Sequence, residues 1–423
     1  MQENRQTLND WLRFVESQHP ESVIHLGLER MTTMLGRLAI RFDCPVITVA
    51  GTNGKGSTCA MLESIYRAAG FKTAMHTSPH MLRFNERACL NGKEVEDAPL
   101  IEAFAEVDAA RDGLPLTYFE FTALAILRVF QKAKPDVVIL EIGLGGRLDA
   151  INALEPTASI VTTIGIDHEA FLGNTRDSIG WEKAHIYRKG KPAICADRNP
   201  PTKLMQYAQA LGCDLQVYGR DFDIKDNGKG LTFEGRHSVW TVPYPALAGH
   251  NQFDNAAGVL AIVDALKAKL PVSEEAISRG LQTVRVRARF ECVSHSPLTY
   301  LDVGHNPHAA RVLAQNVKAL PKEGKTIAVF GMLADKDMLD VIKIMKAVID
   351  EWYIATLPPP RGATAELLKR TMLEAGVEDS KINVLDDIPE ALQKAQHEAR
   401  ATDTIIVFGS FVTVTATLPF FTR

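Results

Sequence analysis

Short apolar runs rich in Val and Ile recur along the chain, and stretches with helical periodicity separate most of them. "CPVITVA", "PDVVILEIG", "ASIVTTIG" and "KPAICA" form one set. "LTYLDVG", "KTIAVFG", "EWYIATL" and "DTIIVFGS" form a second, with helical patterns such as "AARVLAQNVKAL" between them. Strands without polar alternation are buried on both faces, and strands that alternate with helices build βαβ units around a mostly parallel sheet. Two sets imply two such sheets. The 423 residues also exceed one ordinary core. The expected division is a larger α/β domain at 1–283, a linker at 284–290 in "LQTVRVRARFE", and a smaller Rossmann-like α/β domain at 291–423. "DFDIKDNGKGLTFEGRHSVW" reads as a hairpin with its turn at Asn227-Gly228.

In such sheets ligands gather at the carboxyl ends of strands. After the first strand comes "GTNGKGST", followed by a helical pattern that runs to Gly70. Gly51, Gly54 and Gly56 let backbone N–H groups approach phosphate oxygens, Lys55 supplies charge, and the helix N-terminus adds unpaired donors. The segment departs from G-x-x-x-x-G-K-[ST] twice. Val49 stands where the first glycine belongs, and Gly56 follows Lys55 in place of a hydroxyl residue. A glycine-rich turn without a ligand is the plainer alternative.

Glu141 ends the apolar run "VVIL", where a carboxylate needs a cation or hydrogen-bond donors. It is a salt-bridged structural residue or, beside a phosphate loop, a magnesium ligand. His168 follows "SIVTTIGID" and is by itself a packing residue as readily as a ligand, since magnesium prefers oxygen. The amides Asn251, Gln252 and Asn255 open an apolar helix, where such residues often serve as caps. In "LDVGHNPHA", Asp302 ends a strand and Pro307 opens the next helix.

"GTNGKGST" resembles the nucleotide loop of the Mur ligase superfamily, and the Gly-Ser after the lysine resembles its branch of bifunctional dihydrofolate synthases and folylpolyglutamate synthases. The likeness runs from "GLER" to "FGS", nearly the whole chain. It implies a P-loop ATPase-type first domain that binds ATP through Gly51, Thr52, Asn53, Gly54, Lys55, Gly56, Ser57 and Thr58. Gln252 and Asn255 would serve the adenine, with Arg289 and Asp302 handling the nucleotide further. It also implies two Mg²⁺ ions, or Mn²⁺, on Ser57, Ser78 of "TSPH", Glu141, His168 and a carbamylated Lys183. "WEKAHIYR" matches the motif R-E-K-A-G-I, with Trp181 and His185 replacing an arginine and a glycine. Ala288 and Gly304 depart from a usual glycine and alanine, and Ile151 from the threonine of D-A-T-N.

For the acid substrate, "GLER", "TYFEF" and "GGRLDAIN" imply a folate pocket built by Gly27, Leu28, Arg30, Arg83, Phe119, Phe121, Arg147, Asp149 and Asn152. Phe84, Phe119 and Phe121 are by type ordinary core residues as well. His305 and Ser410 would lie near the incoming amino acid. Lys55, Lys183, Asp302 and His305 are the implied catalytic groups. The implied reaction adds L-glutamate to dihydropteroate, and to the γ-carboxyl of tetrahydrofolate and its derivatives. A carboxylate yields to an amine only once activated, and γ-phosphoryl transfer gives an acyl phosphate that domain closure would shield from water. A monomer is the family expectation.

A Mur ligase of peptidoglycan synthesis shares this chemistry but needs a domain ahead of the phosphate loop, for which too few residues precede Val46. A guanine-specific switch would carry N-K-x-D, which is absent. The formal charge of −4 gives no general basic field for nucleic acid. Six dispersed cysteines suit a reducing cytoplasm. "MQENRQTLND" lacks the order of a secretion signal, and no apolar run reaches the roughly 20 residues of a membrane span.

Overall fold

All five residues of strand β1 (Val46–Ala50) are buried, as a run without polar alternation requires. In the computed structural model, which describes residues 5–21 and 23–421, β1 lies inside an eight-stranded sheet. Its companions are β2 (Thr73–His76), β3 (Ala88–Leu90), β4 (Lys93–Glu94), β5 (Val137–Glu141), β6 (Ala158–Val161), β7 (Pro192–Cys195) and β8 (Asp214–Val217). The spatial order is β4-β3-β2-β5-β1-β6-β7-β8, parallel from β2 to β8, with β3 and β4 antiparallel at one edge. With β5 on one side of β1 and β6 on the other, the carboxyl end of β1 is the point where the winding reverses and a crevice opens. Residues 1–4, on which the reading of the chain's start partly rests, lie outside the described residues.

The helix Lys55–Ala68 leaves that crevice and buries Cys59, Met61, Leu62, Ile65 and Tyr66. It ends where expected: Gly70 takes φ +90°, a left-handed conformation that no β-carbon obstructs. Against it packs the helix Glu274–Thr283. A β-carbon on Gly280 would sit 2.5 Å from Ile65 Cα, and the Ser64 hydroxyl donates to the Gly280 carbonyl at 2.8 Å. The same unit holds a small antiparallel sheet of β9 (Asp223–Asp226), β10 (Leu231–Glu234) and β11 (Val239–Val242). Its first hairpin turns one residue later than the sequence suggests. Asn227 N–H donates to the Gly230 carbonyl at 3.1 Å, so Gly228 and Lys229 are the turn residues, and Gly228 accepts the φ of +79°.

The chain forms two units. The one just described comprises residues up to Ile164 with His168–Ala246 and Phe253–Val284; the other comprises Gly165–Asp167, Leu247–Gln252 and the chain from Arg285 onward. The second has a six-stranded sheet of β12 (Arg289–His295), β13 (Leu298–Asp302), β14 (Thr326–Phe330), β15 (Glu351–Ala355), β16 (Ile382–Leu385) and β17 (Thr404–Phe408), in the order β12-β13-β17-β14-β15-β16. All pairs are parallel except β12 with β13. Phe330, Trp352 and Phe408 centre its core, with the two phenylalanine rings 4.9 Å apart. Arg289 and Phe290, read from sequence as linker, begin β12, where Phe290 stacks on Tyr300 at 4.5 Å. Two irregularities in the β12–β13 register and the charged residues of this edge strand hide it from pattern reading. No helix among the described residues is long and apolar enough to cross a membrane.

The close contact at Gly280 sets a test of the fold. Gly280→Ala is expected to destabilise the first unit by about 1–3 kcal/mol, read as a lower urea midpoint in its unfolding. An unchanged midpoint would mean that the two helices are not held this closely.

Candidate active site

The segment after β1 forms its loop because neighbouring side chains leave no room for anything larger. A β-carbon on Gly51 would collide with the Thr162 hydroxyl, and one on Gly54, where φ is +88°, would collide with the Asn255 amide. The loop is sewn down from β6: Thr52 N–H donates to the Thr163 carbonyl at 2.8 Å, and the Thr162 and Thr163 hydroxyls donate to the Asn53 carbonyl at 2.7 and 3.1 Å. The helix begins at Lys55 itself, so Gly56, Ser57 and Thr58 form its first turn. That turn has no side-chain cap and no acidic residue, and thus offers N–H donors and a positive dipole end to an anion. Lys55 Nζ curls back over the loop carbonyls, 3.2 Å from Gly51 O and 3.4 Å from Thr52 O. The buried Thr58 hydroxyl has no hydrogen-bond partner among the described residues. These features fit a phosphate chain.

Glu141 pairs in register with Val49 of β1, so the parallel sheet itself brings the carboxylate beside the phosphate loop. It is buried and accepts from Ser78 N–H at 3.0 Å. Burial lifts the Cys59 thiol well above its ordinary range; the Glu141 charge adds to this and Lys55 opposes it, which places all three in one electrostatic neighbourhood. His168 opens the four-residue helix Glu169–Leu172 at the surface, with φ +54°. Lys183 is buried in the helix Arg176–Ala184. Among the described residues no three His, Cys, Asp or Glu side chains gather into a metal cage. A buried carboxylate that meets Ser78, in register with the strand that carries the phosphate cradle, suits a hard ion that keeps water and phosphate oxygens in its shell.

The loop after β5 carries the acid-substrate candidates. It starts at Gly143, where a β-carbon would lie 2.9 Å from the Phe119 ring, and passes Gly146, where one would lie 2.6 Å from the Glu182 carbonyl and 3.0 Å from Lys183 Cα. Asp149 returns to the start of the loop, accepting from Leu144 N–H at 2.8 Å and from Ile151 N–H at 3.0 Å. Burial raises its carboxyl to about 6, against the pull of those amides and of Lys55. Asn152 is also fully engaged, donating to the Arg147 and His185 carbonyls and accepting from Arg188. Arg147 stays half-exposed. Gly27 joins this loop through its N–H to Leu148 O at 3.2 Å, and Leu28 precedes the helix Glu29–Arg37.

Three candidates have other places. Phe121 packs in the core on Phe104 at 5.6 Å, whereas Phe119 is half-buried and 6.1 Å from His76. Residues two apart on a helix point about 200° apart, so the two cannot share one pocket wall. Arg30 is pinned at 2.9 Å to Glu120, whose carboxylate also accepts from the N–H of Thr117, the cap of the helix Tyr118–Ala133. Arg83 is a surface residue, 3.5 Å from an equally exposed Asp97.

In the second unit, Asp302 at the tip of β13 accepts from Gly304 N–H at 2.7 Å and from Phe290 N–H at 3.0 Å, and burial raises its carboxyl. His305 Nδ1 lies 2.8 Å from the Val303 carbonyl, which can only accept, so Nδ1 carries a proton and donates it there. Nε2 stands 3.5 Å from Asp167, whose carboxylate also takes Asn306 Nδ2 at 3.2 Å and Lys336 Nζ at 2.5 Å. Sequence reasoning missed Asp167 and Lys336. A lysine buried to 7% with one acid is a strong signal, but only once burial is known. Arg289 lies over the Phe411 ring at 5.6 Å, Ser410 caps the helix Phe411–Thr417, and Gln252 is buried near the start of the helix Asn251–Leu266.

Residues 49–263 match the Mur ligase middle domain, and residues 288–411 match the Mur ligase glutamate ligase domain. The dihydrofolate synthase/folylpolyglutamate synthase of Escherichia coli K12 is 42% identical over 96% of this chain and 94% of its own length; that of Haemophilus influenzae is 37% identical over 96% of each. Among solved structures, E. coli FolC in complex with DHPP and ADP superposes with a TM-score of 0.92 at 42% identity, covering 98% of this chain and 97% of that one. A bifunctional folylpolyglutamate synthase/dihydrofolate synthase with Mn, AMPPNP and L-glutamate bound gives 0.90 at 39% identity, over 98% of each.

Asp149 yields a pH test. A carboxyl at about 6 in the folded chain against an ordinary 3.8 means that the folded state holds its proton more tightly, so its contribution to stability is present below the lower value and lost as pH rises through the upper one. Asp149→Asn removes that slope. From about pH 4 to about pH 7 the unfolding free energy of the variant should gain about 2–3 kcal/mol on wild type. Parallel stability profiles in denaturant titrations would contradict the burial argument.

Proposed function

This chain belongs to the dihydrofolate synthase/folylpolyglutamate synthase family of Mur ligases, and on that footing we propose how its residues ligate L-glutamate to dihydropteroate and to the γ-carboxyl of reduced folates at the expense of ATP. The enzyme is an ADP-forming acid–amino-acid ligase. The observation that carries the mechanism is the placement of an uncapped helix N-terminus, Lys55 and Glu141 at the ends of adjacent strands β1 and β5.

The first-turn N–H groups of Lys55–Ala68 and the Lys55 ammonium hold the phosphate chain of ATP and take up negative charge as the γ-phosphoryl group moves. Asn255 and Gln252 serve the adenine, and Arg289 and Asp302 the remaining polar groups of the nucleotide. Ser57, Ser78, Glu141, His168 and a carbamylated Lys183 would hold two Mg²⁺ ions, which would neutralise phosphate charge. Phe119 and the Gly27–Leu28 turn bind the part of the folate acid common to both substrates, with Arg147 beside them and Asp149 and Asn152 fastening their loop. An oxygen of the acid attacks the γ-phosphorus and ADP leaves. The glutamate nitrogen, freed of one proton by His305 Nε2, then attacks the acyl carbon and phosphate leaves. Ser410 orients the glutamate. The scheme needs one chain only, and six unpaired cysteines support a reducing cytoplasmic setting.

ADP release tests this reading directly. With ATP and magnesium, turnover should require both L-glutamate and either dihydropteroate or tetrahydrofolate; ADP formation indifferent to either substrate would refute it. Lys55→Ala and Glu141→Ala should each lower kcat at least about a thousandfold while circular dichroism stays that of the wild type. An active Glu141→Ala enzyme would remove the metal assignment.

A further inference from the structure

Arg147 is held from three sides. Its backbone N–H donates to the Glu182 carbonyl at 3.0 Å, and Nε and Nη2 donate to the Glu182 carboxylate at 3.1 and 3.0 Å. The guanidinium carbon stands 5.1 Å from the centre of the Trp181 ring. Trp181 is braced in turn: its ring meets His185 at 4.3 Å and 70°, His185 stacks on Tyr207 at 4.0 Å and 28°, and His185 Nδ1 lies 2.7 Å from the Trp181 carbonyl. Residues 181 and 185 share one helix face while 183 points about 200° from 181. The aromatic column therefore lies on the face opposite the buried Lys183. Trp181 and His185 are the two positions where the sequence departs from the ligase motif.

This clamp uses only one edge of the guanidinium. Glu182 takes Nε and Nη2; Nη1 makes no hydrogen bond among the described residues, and the side chain is 37% exposed. A planar donor fork with one edge fixed and one edge open is aimed, and aimed forks select carboxylates. The loop also gives it a position. Gly143 lies against Phe119 and Gly146 against Lys183, so Arg147 falls between the aromatic end of the loop and the helix that carries Lys183.

The two acids assigned under the folate reading, on which this inference rests, differ in one group. Dihydropteroate has a single carboxylate, the one that is activated. A folate that already carries glutamate has its γ-carboxylate activated and keeps a spare α-carboxylate, which is buried at a cost unless a cation meets it. We propose that Arg147 is the subsite for that α-carboxylate, with Trp181 as the positioning residue that aims it. The pair thereby separates the two glutamylation activities.

Trp181→Ala lets the guanidinium swing. The expected result is a KM for tetrahydrofolate raised about tenfold, with KM for dihydropteroate and both kcat values within about twofold of wild type. Trp181→Phe keeps an aromatic face and should restore most of the loss. Trp181→Leu keeps bulk without that face, should behave as the alanine variant, and replaces it if alanine does not fold. Calorimetric binding of tetrahydrofolate without ATP should follow the KM values. An equal rise for both acids, or no rise for tetrahydrofolate, overturns the subsite. A wild-type enzyme idle with both acids would instead remove the folate reading, and the subsite with it.

Discussion

An anion site made of backbone amides works only if nothing inside the protein satisfies those amides first. At the start of the helix Lys55–Ala68 the chain meets that condition by omission: no capping side chain, no acid in the first turn, and glycines where a β-carbon would strike Thr162 or Asn255. The openness is held in place by its neighbours. The threonines after β6 tie down the loop from one side, and the pairing of Val49 with Glu141 sets a carboxylate on the other. Parallel pairing of β1 with β5 thus delivers two opposite kinds of group, unpaired N–H donors and a buried carboxylate, to one end of one sheet.

Beyond this centre, most polar groups near the candidate site fasten loops. Asp149 and Asn152 spend their hydrogen-bonding capacity on the backbone between Gly143 and His185, and Arg30 spends its own on the cap of a neighbouring helix. Such groups make the few outward-facing ones precise in direction. Arg147 is the clearest case, with its backbone, one guanidinium edge and one ring face all engaged. In the second unit Asp167 gathers Lys336, Asn306 and His305 in the same way.

The strands that the sequence made legible were those buried on both faces, such as β1, β5 and β14, because an unbroken Val/Ile run has few other uses. The first two residues of the antiparallel edge strand β12, Arg289 and Phe290, were read as linker, since charged residues and register irregularities erase its alternation. The four-residue strands β2 and β16 interrupt their apolar residues with Thr73, His76 and Asn383 and leave no clear run. At the site, glycines and Glu141 were legible because each breaks a local expectation. Phe121 and Phe119 were not separable without knowing which helix face meets the core, and Lys336 was invisible because its burial is a tertiary fact.

Every role assigned at the site depends on transfer of the γ-phosphoryl group to the acid before the nitrogen arrives. Dihydropteroate labelled with heavy oxygen in its carboxylate tests this, with mass analysis of the phosphate released on turnover with ATP and L-glutamate. One labelled oxygen per phosphate is the expected result, because the bond broken last joins acyl carbon to that oxygen. Phosphate without label, formed together with dihydrofolate, would show that the amide arises without an acyl phosphate and would contradict the mechanism built on Lys55 and Glu141.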